Sequence, residues 1–150
     1  AARGRATARR GRVERGLNDS ADPRYGAEVR RRMAELRGAG DLPSVGGVVI
    51  RARAGDREQG AEVLLQVRLV NGRADGLSFR AFGCPHFIAA ASWLTDRLRG
   101  AAQAEFSGWD WREAATALEV PPAKYGRLLV LQDAVRTLAG NWPGEVESTV

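Results

Sequence analysis

The chain has 150 residues, 44% of them hydrophobic, with a single cysteine and a formal net charge of +5. That length suits one domain with a real core, and no apolar run approaches the roughly 18 continuous residues of a membrane span. One cysteine excludes an internal disulfide framework and any single-chain site built on several thiolates.

The charge is unevenly placed. Residues 1–16 hold Arg3, Arg5, Arg9, Arg10, Arg12 and Arg15 against Glu14, which accounts for the whole excess; the other 17 basic and 17 acidic residues cancel. This stretch has almost nothing apolar to bury, so residues 1–17 read as a disordered basic arm. An Arg-rich, acid-poor N-terminus is also a feature of organelle transit peptides, but Ser is absent here and no amphipathic period is clear; a weak polyanion-binding arm is the other alternative.

The folded domain reads as residues 18–142. Tyr25, Val29, Met33 and Leu36 recur at helical spacing, with Gly38 and Gly40 ending that helix. Asp41-Leu42-Pro43 reads as a loop. Val48, Ile50 and Ala52 alternate with Val49, Arg51 and Arg53, the pattern of a half-buried strand. Ala54 to Gly60 reads as a turn. Val63, Leu65, Val67 and Leu69 share one face of a second strand, and Asn71-Gly72 is a strong hairpin signal. Leu77, Phe79 and Ala81 lie on one face of a third strand, so the three strands predict an antiparallel meander.

The pattern then turns helical. Pro85 suits the first position of a helix, where a missing N–H costs nothing. Phe87, Ala91, Leu94 and Leu98 form one apolar stripe, and Gly100 follows the end. Asp110 followed by Glu113 resembles a capping box. Pro121-Pro122 breaks the chain, and Leu128, Leu131, Val135 and Leu138 form a final stripe closed by Gly140. Residues 143–150 read as a flexible tail. Strands first and helices after them predict an α+β domain: a three-stranded antiparallel sheet, an N-terminal helix, and several C-terminal helices packed on one face.

The stretch Phe82-Gly83-Cys84-Pro85-His86-Phe87 holds the only cysteine and the only histidine. It puts Cys84 at a strand-to-helix junction, where the helix dipole favours a thiolate. The other reading is a small buried residue at a tight turn. His86 reads as a solvent-edge or capping residue, and metal ligation is the alternative.

Two pieces of sequence carry a family resemblance. One is Phe79-Arg80-Ala81-Phe82-Gly83-Cys84, followed by Ile88-Ala89-Ala90-Ala91-Ser92 and Leu94-Thr95-Asp96. The other is Leu118-Glu119-Val120-Pro121-Pro122-Ala123-Lys124, followed by Leu131-Gln132-Asp133-Ala134. From about Tyr25 to Trp142 the chain resembles the NifU-like (U-type) iron–sulfur cluster assembly scaffolds. The resemblance implies their fold, an iron–sulfur cluster or iron as the species handled, and a cysteine desulfurase or other assembly proteins as partners. It also implies that Cys84 stands at the middle of three ligand cysteines.

The other ligand positions depart from the family pattern. The third cysteine falls on Arg127 and the histidine before it on Gly126. The first cysteine and its aspartate align either on Ala54-Gly55-Asp56, keeping only Asp56, or without a gap on Gln59 and Ala61. One chain therefore offers Cys84, Asp56 and His86 as donors, and common clusters need four ligands, mostly thiolates.

Three functions follow as readings. The first is a scaffold-like assembly protein with a degenerate cluster site, accepting sulfur or sharing a cluster through Cys84. The second is a non-catalytic interaction or regulatory module of scaffold shape that binds no metal. The third, a nucleic-acid protein acting through the arm, is opposed by the neutral remainder of the chain. No nucleophile–base pair and no phosphate loop marks an enzyme. Cytoplasmic placement is the expectation, with organelle targeting by the arm left open.

Overall fold

Three strands pair in the order β1-β2-β3, all antiparallel: β1 (Val48–Asp56), β2 (Ala61–Val70) and β3 (Arg73–Phe82). This is a computed structural model that describes residues 24–43 and 46–143. The arm predicted at 1–17, and all of the tail except Pro143, lie outside the described residues. The register puts Ile50, Val67 and Leu77 in one row and Ala52, Leu65 and Phe79 in the next, so the period-two apolar faces stack. That face is the core side: Ala52, Val63, Leu65, Val67, Leu77 and Phe79 are buried. Asn71 and Gly72 both take positive φ, 54° and 76°, as a two-residue type I′ hairpin requires.

The predicted Ala54–Gly60 turn is shorter than expected. β1 continues to Asp56, a 3₁₀ turn covers Arg57–Gln59, and Gly60 closes it. Asp56 shortens the loop by accepting a hydrogen bond from the Gln59 N–H at 2.8 Å.

Among the described residues five α-helices accompany the sheet: α1 (Ala27–Ala34), α2 (Pro85–Arg97), α3 (Gln103–Ser107), α4 (Trp111–Ala117) and α5 (Tyr125–Asn141). α2 packs on β3, and α5 packs on β1 and β2. The predicted stripes are the buried ones: Phe87, Ala91, Leu94 and Leu98, then Leu128, Leu131, Val135 and Leu138, all with no exposed surface. Gly140 lies inside α5 and does not end it. α1 ends at Ala34, before Leu36, which is left exposed. The chain after α1 returns to the sheet: the Phe79 N–H donates to Gly38 O at 2.8 Å and the Gly40 N–H to Phe79 O at 2.9 Å. These bonds cover part of the β3 edge. Asn141 Nδ2 donates to Arg51 O at 2.9 Å on the opposite edge.

The start of α4 also differs from expectation. Asp110 caps it by accepting from the Arg112 N–H, but Glu113 does not reach back to the cap. Its carboxylate accepts instead from Trp109 Nε1 and Arg97 Nε, both at 2.8 Å. A tertiary contact with α2 has taken the residue that the local motif would use.

A buried cation joins α1 to α2. Arg32 is 8% exposed; its Nε donates to Glu28 at 3.0 Å and its Nη1 to Asp96 at 2.6 Å. Burial raises the Glu28 and Asp96 carboxyls, but hydrogen bonds from Arg31, Arg32 and Arg99 outweigh it and leave both below their ordinary values. The folded state therefore binds fewer protons there than the unfolded chain. The stability they contribute is full above the ordinary values of 4.5 and 3.8 and is lost as pH falls through the lowered ones. Asp96→Asn should cost about 1–3 kcal/mol at neutral pH, because it strips one charged partner from a buried guanidinium. It should also flatten the acid limb of the stability curve. Denaturant titrations from pH 3 to 7 check both, and an unchanged acid limb would count against the network.

Candidate functional site

Cys84 is the N-cap of α2, in extended backbone at φ −74° and ψ 166°, with Pro85 in the first turn. Its carbonyl accepts from the Phe87 and Ile88 N–H groups, both at 3.0 Å. Its side chain makes no capping bond, is half-buried, and packs against the core. The junction is where the sequence puts it: β3 ends at Phe82 and α2 begins at Pro85.

Beside this turn lies an open depression of about 270 Å³, lined by Gln59, Ala61, Ala123, Gly126, Arg127 and Val130. These come from the β1–β2 turn, the start of β2, the 3₁₀ turn Pro122–Lys124, and the beginning of α5. Arg127 donates from Nη1 to the Gly60 carbonyl at 2.6 Å. That same carbonyl lies 3.2 Å from where a Cβ on Gly83 would stand, so Arg127 and the Gly83-Cys84 turn converge on one oxygen. Gly60 is in the left-handed region at φ 87°, and a Cβ there would meet Arg127 Nη1 at 3.0 Å. Sequence reading did not single out Gly60; a glycine closing the turn between Gln59 and Ala61 was its only signal.

The depression gathers the gap-free alignment positions, Gln59 and Ala61, with Gly126 and Arg127. Asp56 is not among the lining residues: it is exposed, it pairs across the sheet with Ala61, and its carboxylate caps the 3₁₀ turn. The groups at these four positions are an amide, a methyl, a bare backbone and a guanidinium, with the Ala123 and Val130 side chains beside them; the Cys84 turn approaches only through the Gly60 carbonyl. They do not make the donor set of a cluster, and no three of His, Cys, Asp and Glu come together as a ligand set among the described residues.

His86 corrects the expectation of a solvent-edge or capping residue. It is 4% exposed, with its ring 4.9 Å from that of Tyr25, and Nδ1 has no hydrogen-bond partner. The cause is α1, which packs across α2 and brings Tyr25 over the first turn. Burial, and then the nearby Lys124 charge, push the imidazole pKa down and favour the neutral ring.

The outer sheet face is basic and mostly paired. Asp41 accepts from Arg80 and Gln66, which hold its carboxyl down at about 2. Arg53 and Arg57 share Glu62, and Arg57 lies 4.5 Å over the Phe82 ring.

A three-stranded antiparallel meander with helices packed against it, and a cysteine at the strand-to-helix junction, define an α+β domain. Residues 24–148 match the family model of the NifU-like N terminal domain. The chain belongs to that family, whose members are iron–sulfur cluster assembly scaffolds. It is 27% identical over 110 residues to iron sulfur cluster assembly protein 1, mitochondrial, of Kluyveromyces lactis, covering 73% of this chain and 59% of that protein. It is 31% identical over 72 residues to iron sulfur cluster assembly protein 2, mitochondrial, of Saccharomyces cerevisiae, covering 48% of this chain and 46% of that protein. The chain thus spans about half of the length of the curated relatives it matches. Among solved structures it superposes on an iron–sulfur cluster assembly scaffold protein for the SUF system from Fervidobacterium islandicum, with a TM-score of 0.60 at 11% identity, covering 77% of this chain and 96% of that one. A nitrogen-fixing NifU-like protein (N-terminal) from Brucella abortus gives 0.56 at 15% identity, covering 89% and 99%. At those identities the likeness shows the fold. No helix among the described residues is long and apolar enough to cross a membrane.

Proposed function

We propose that this chain is a non-enzymatic member of the iron–sulfur assembly machinery whose own cluster site is degenerate, and that Cys84 is its working group. The observation that carries the reading is a contrast: a half-buried thiol at the α2 N-cap, next to the Gly83 turn that approaches the same Gly60 carbonyl as the Arg127 guanidinium, which stands where the resemblance puts the third cysteine. In this reading Cys84 accepts sulfur from a cysteine desulfurase or another assembly protein. Its thiolate attacks the outer sulfur of a persulfide on the donor. The new S–S bond forms on Cys84 and the donor cysteine leaves as its thiolate. The alternative use is one Cys84–iron bond in a cluster shared with a partner. Asp56 and His86 take no part here, because one caps a turn and the other is packed under Tyr25. Cytoplasmic placement goes with this reading; the mitochondrial names of the relatives make organelle placement its alternative.

Alkylation of the native protein tests it. Cys84 should react with iodoacetamide at neutral pH, and Cys84→Ser should abolish both labelling and sulfur transfer while leaving the circular dichroism spectrum unchanged. A Cys84 that labels only after unfolding would move the reading to an interaction module, for which the thiol's packing against the core is the supporting observation.

A further inference from the structure

Arg127 is held but not neutralised. It makes no ion pair among the described residues; its bond is to the Gly60 carbonyl, through one of the guanidinium's five N–H groups. None of the residues lining the depression is acidic; the Asp56 carboxylate beside it is engaged by the Gln59 N–H at 2.8 Å. The first turn of α5 contains no acidic residue either. A Cβ on Gly126 would meet nothing within 4 Å, which leaves the mouth open. At about 270 Å³ the space far exceeds the roughly 30 Å³ that one water occupies. A cation entering it would meet the guanidinium, and an anion would be drawn to it.

We propose that this depression binds a small tetrahedral oxyanion of the phosphate or sulfate class. The remaining Arg127 N–H groups are its principal donors, because a planar fork matches paired oxyanion oxygens. The exposed Gln59 amide lines the opposite turn and supplies a further donor. The position that a metal ligand occupies in the family pattern is here an anion receptor. The proposal does not depend on Cys84 chemistry.

Calorimetric titration of the full chain tests it at low ionic strength, with inorganic phosphate, sulfate and phenyl phosphate as separate probes. The parent should show one saturable site for phosphate and sulfate. Equal or tighter binding of phenyl phosphate would identify the ligand as a phosphoryl group carried on a larger molecule, and its rejection as the free ion. Arg127→Gln should weaken binding at least tenfold, and Arg127→Lys, which keeps the charge and loses the fork, by less. Gln59→Glu changes an exposed side chain and places a carboxylate in the depression, so it should also weaken binding at least tenfold. This keeps the test decisive if Arg127→Gln fails to fold. Arg51→Gln, which removes an exposed cation from the outer sheet face, should change little. The proposal is overturned if the parent shows no saturable binding, if Gln59→Glu leaves binding unchanged, or if Arg51→Gln weakens it as much as Arg127→Gln does.

Discussion

Replacing Gln59 with Cys, Ala61 with Asp and Arg127 with Cys, beside the native Cys84, should produce a chain that binds one zinc ion and melts well above its parent. Gln59, Ala61 and Arg127 already line one depression, and the Cys84 turn adjoins it through Gly60 and Gly83. Three thiolates and a carboxylate are a sufficient tetrahedral donor set for zinc. The ion would tie together the β1–β2 turn, the α2 N-terminus and α5, so its binding free energy adds to folding stability. Removing Arg127 alone loses its bond to Gly60 O, so Arg127→Cys without zinc should be less stable than the parent. Competition with a chromogenic chelator and a melting curve with and without zinc give both numbers. A triple variant that binds zinc no better than the parent would show that these four positions do not form one site.

The largest loss of stability should come from Phe87→Ala. Phe87 has no exposed surface, and its ring lies against Gly83, 2.8 Å from where a Cβ there would stand. Truncation removes a large buried side chain at the junction of α2 with the sheet, and the glycine turn offers no side chain to fill the space. A loss of roughly 3–5 kcal/mol is expected, enough to lower the melting midpoint by about 10 °C or more. Phe82→Ala is the contrast. Phe82 is 41% exposed and its main partner is Arg57 over the ring, so its loss should cost about 1 kcal/mol. Equal losses at the two positions would mean that the junction is not packed as described.

Much of the fold was legible because local signals and the global arrangement agree. Alternation around Val63–Leu69 fixed a face, Asn71-Gly72 fixed the hairpin, and Pro85 with the Phe87–Leu98 stripe fixed α2. The failures are tertiary. α3 has five residues and its N-terminal bond, Ala102 N–H to Glu105 at 2.9 Å, gives no periodic signal. Glu113 fits a capping box by spacing and is claimed by Trp109 and Arg97. His86 looks polar and exposed at a helix start, and only the packing of α1 buries it. At the site, Cys84 was readable from its strand-to-helix context. The choice between Asp56 and the Gln59–Ala61 pair was not, because both flank a turn of undetermined length. The 3₁₀ geometry of Arg57–Gln59 turns the Asp56 carboxylate into its own loop and leaves Gln59 and Ala61 in the depression with Arg127.

Reconstitution without oxygen is the most direct measure of the account's central claim, that a single chain with this ligand set cannot hold a cluster alone. The protein would be incubated with ferrous iron and sulfide and desalted. Iron, acid-labile sulfide and molecular mass would then be determined on the same sample. A monomer with far less than one cluster per chain is expected, with any retained iron confined to species that contain two chains. A monomer that keeps a stoichiometric cluster after desalting would contradict it.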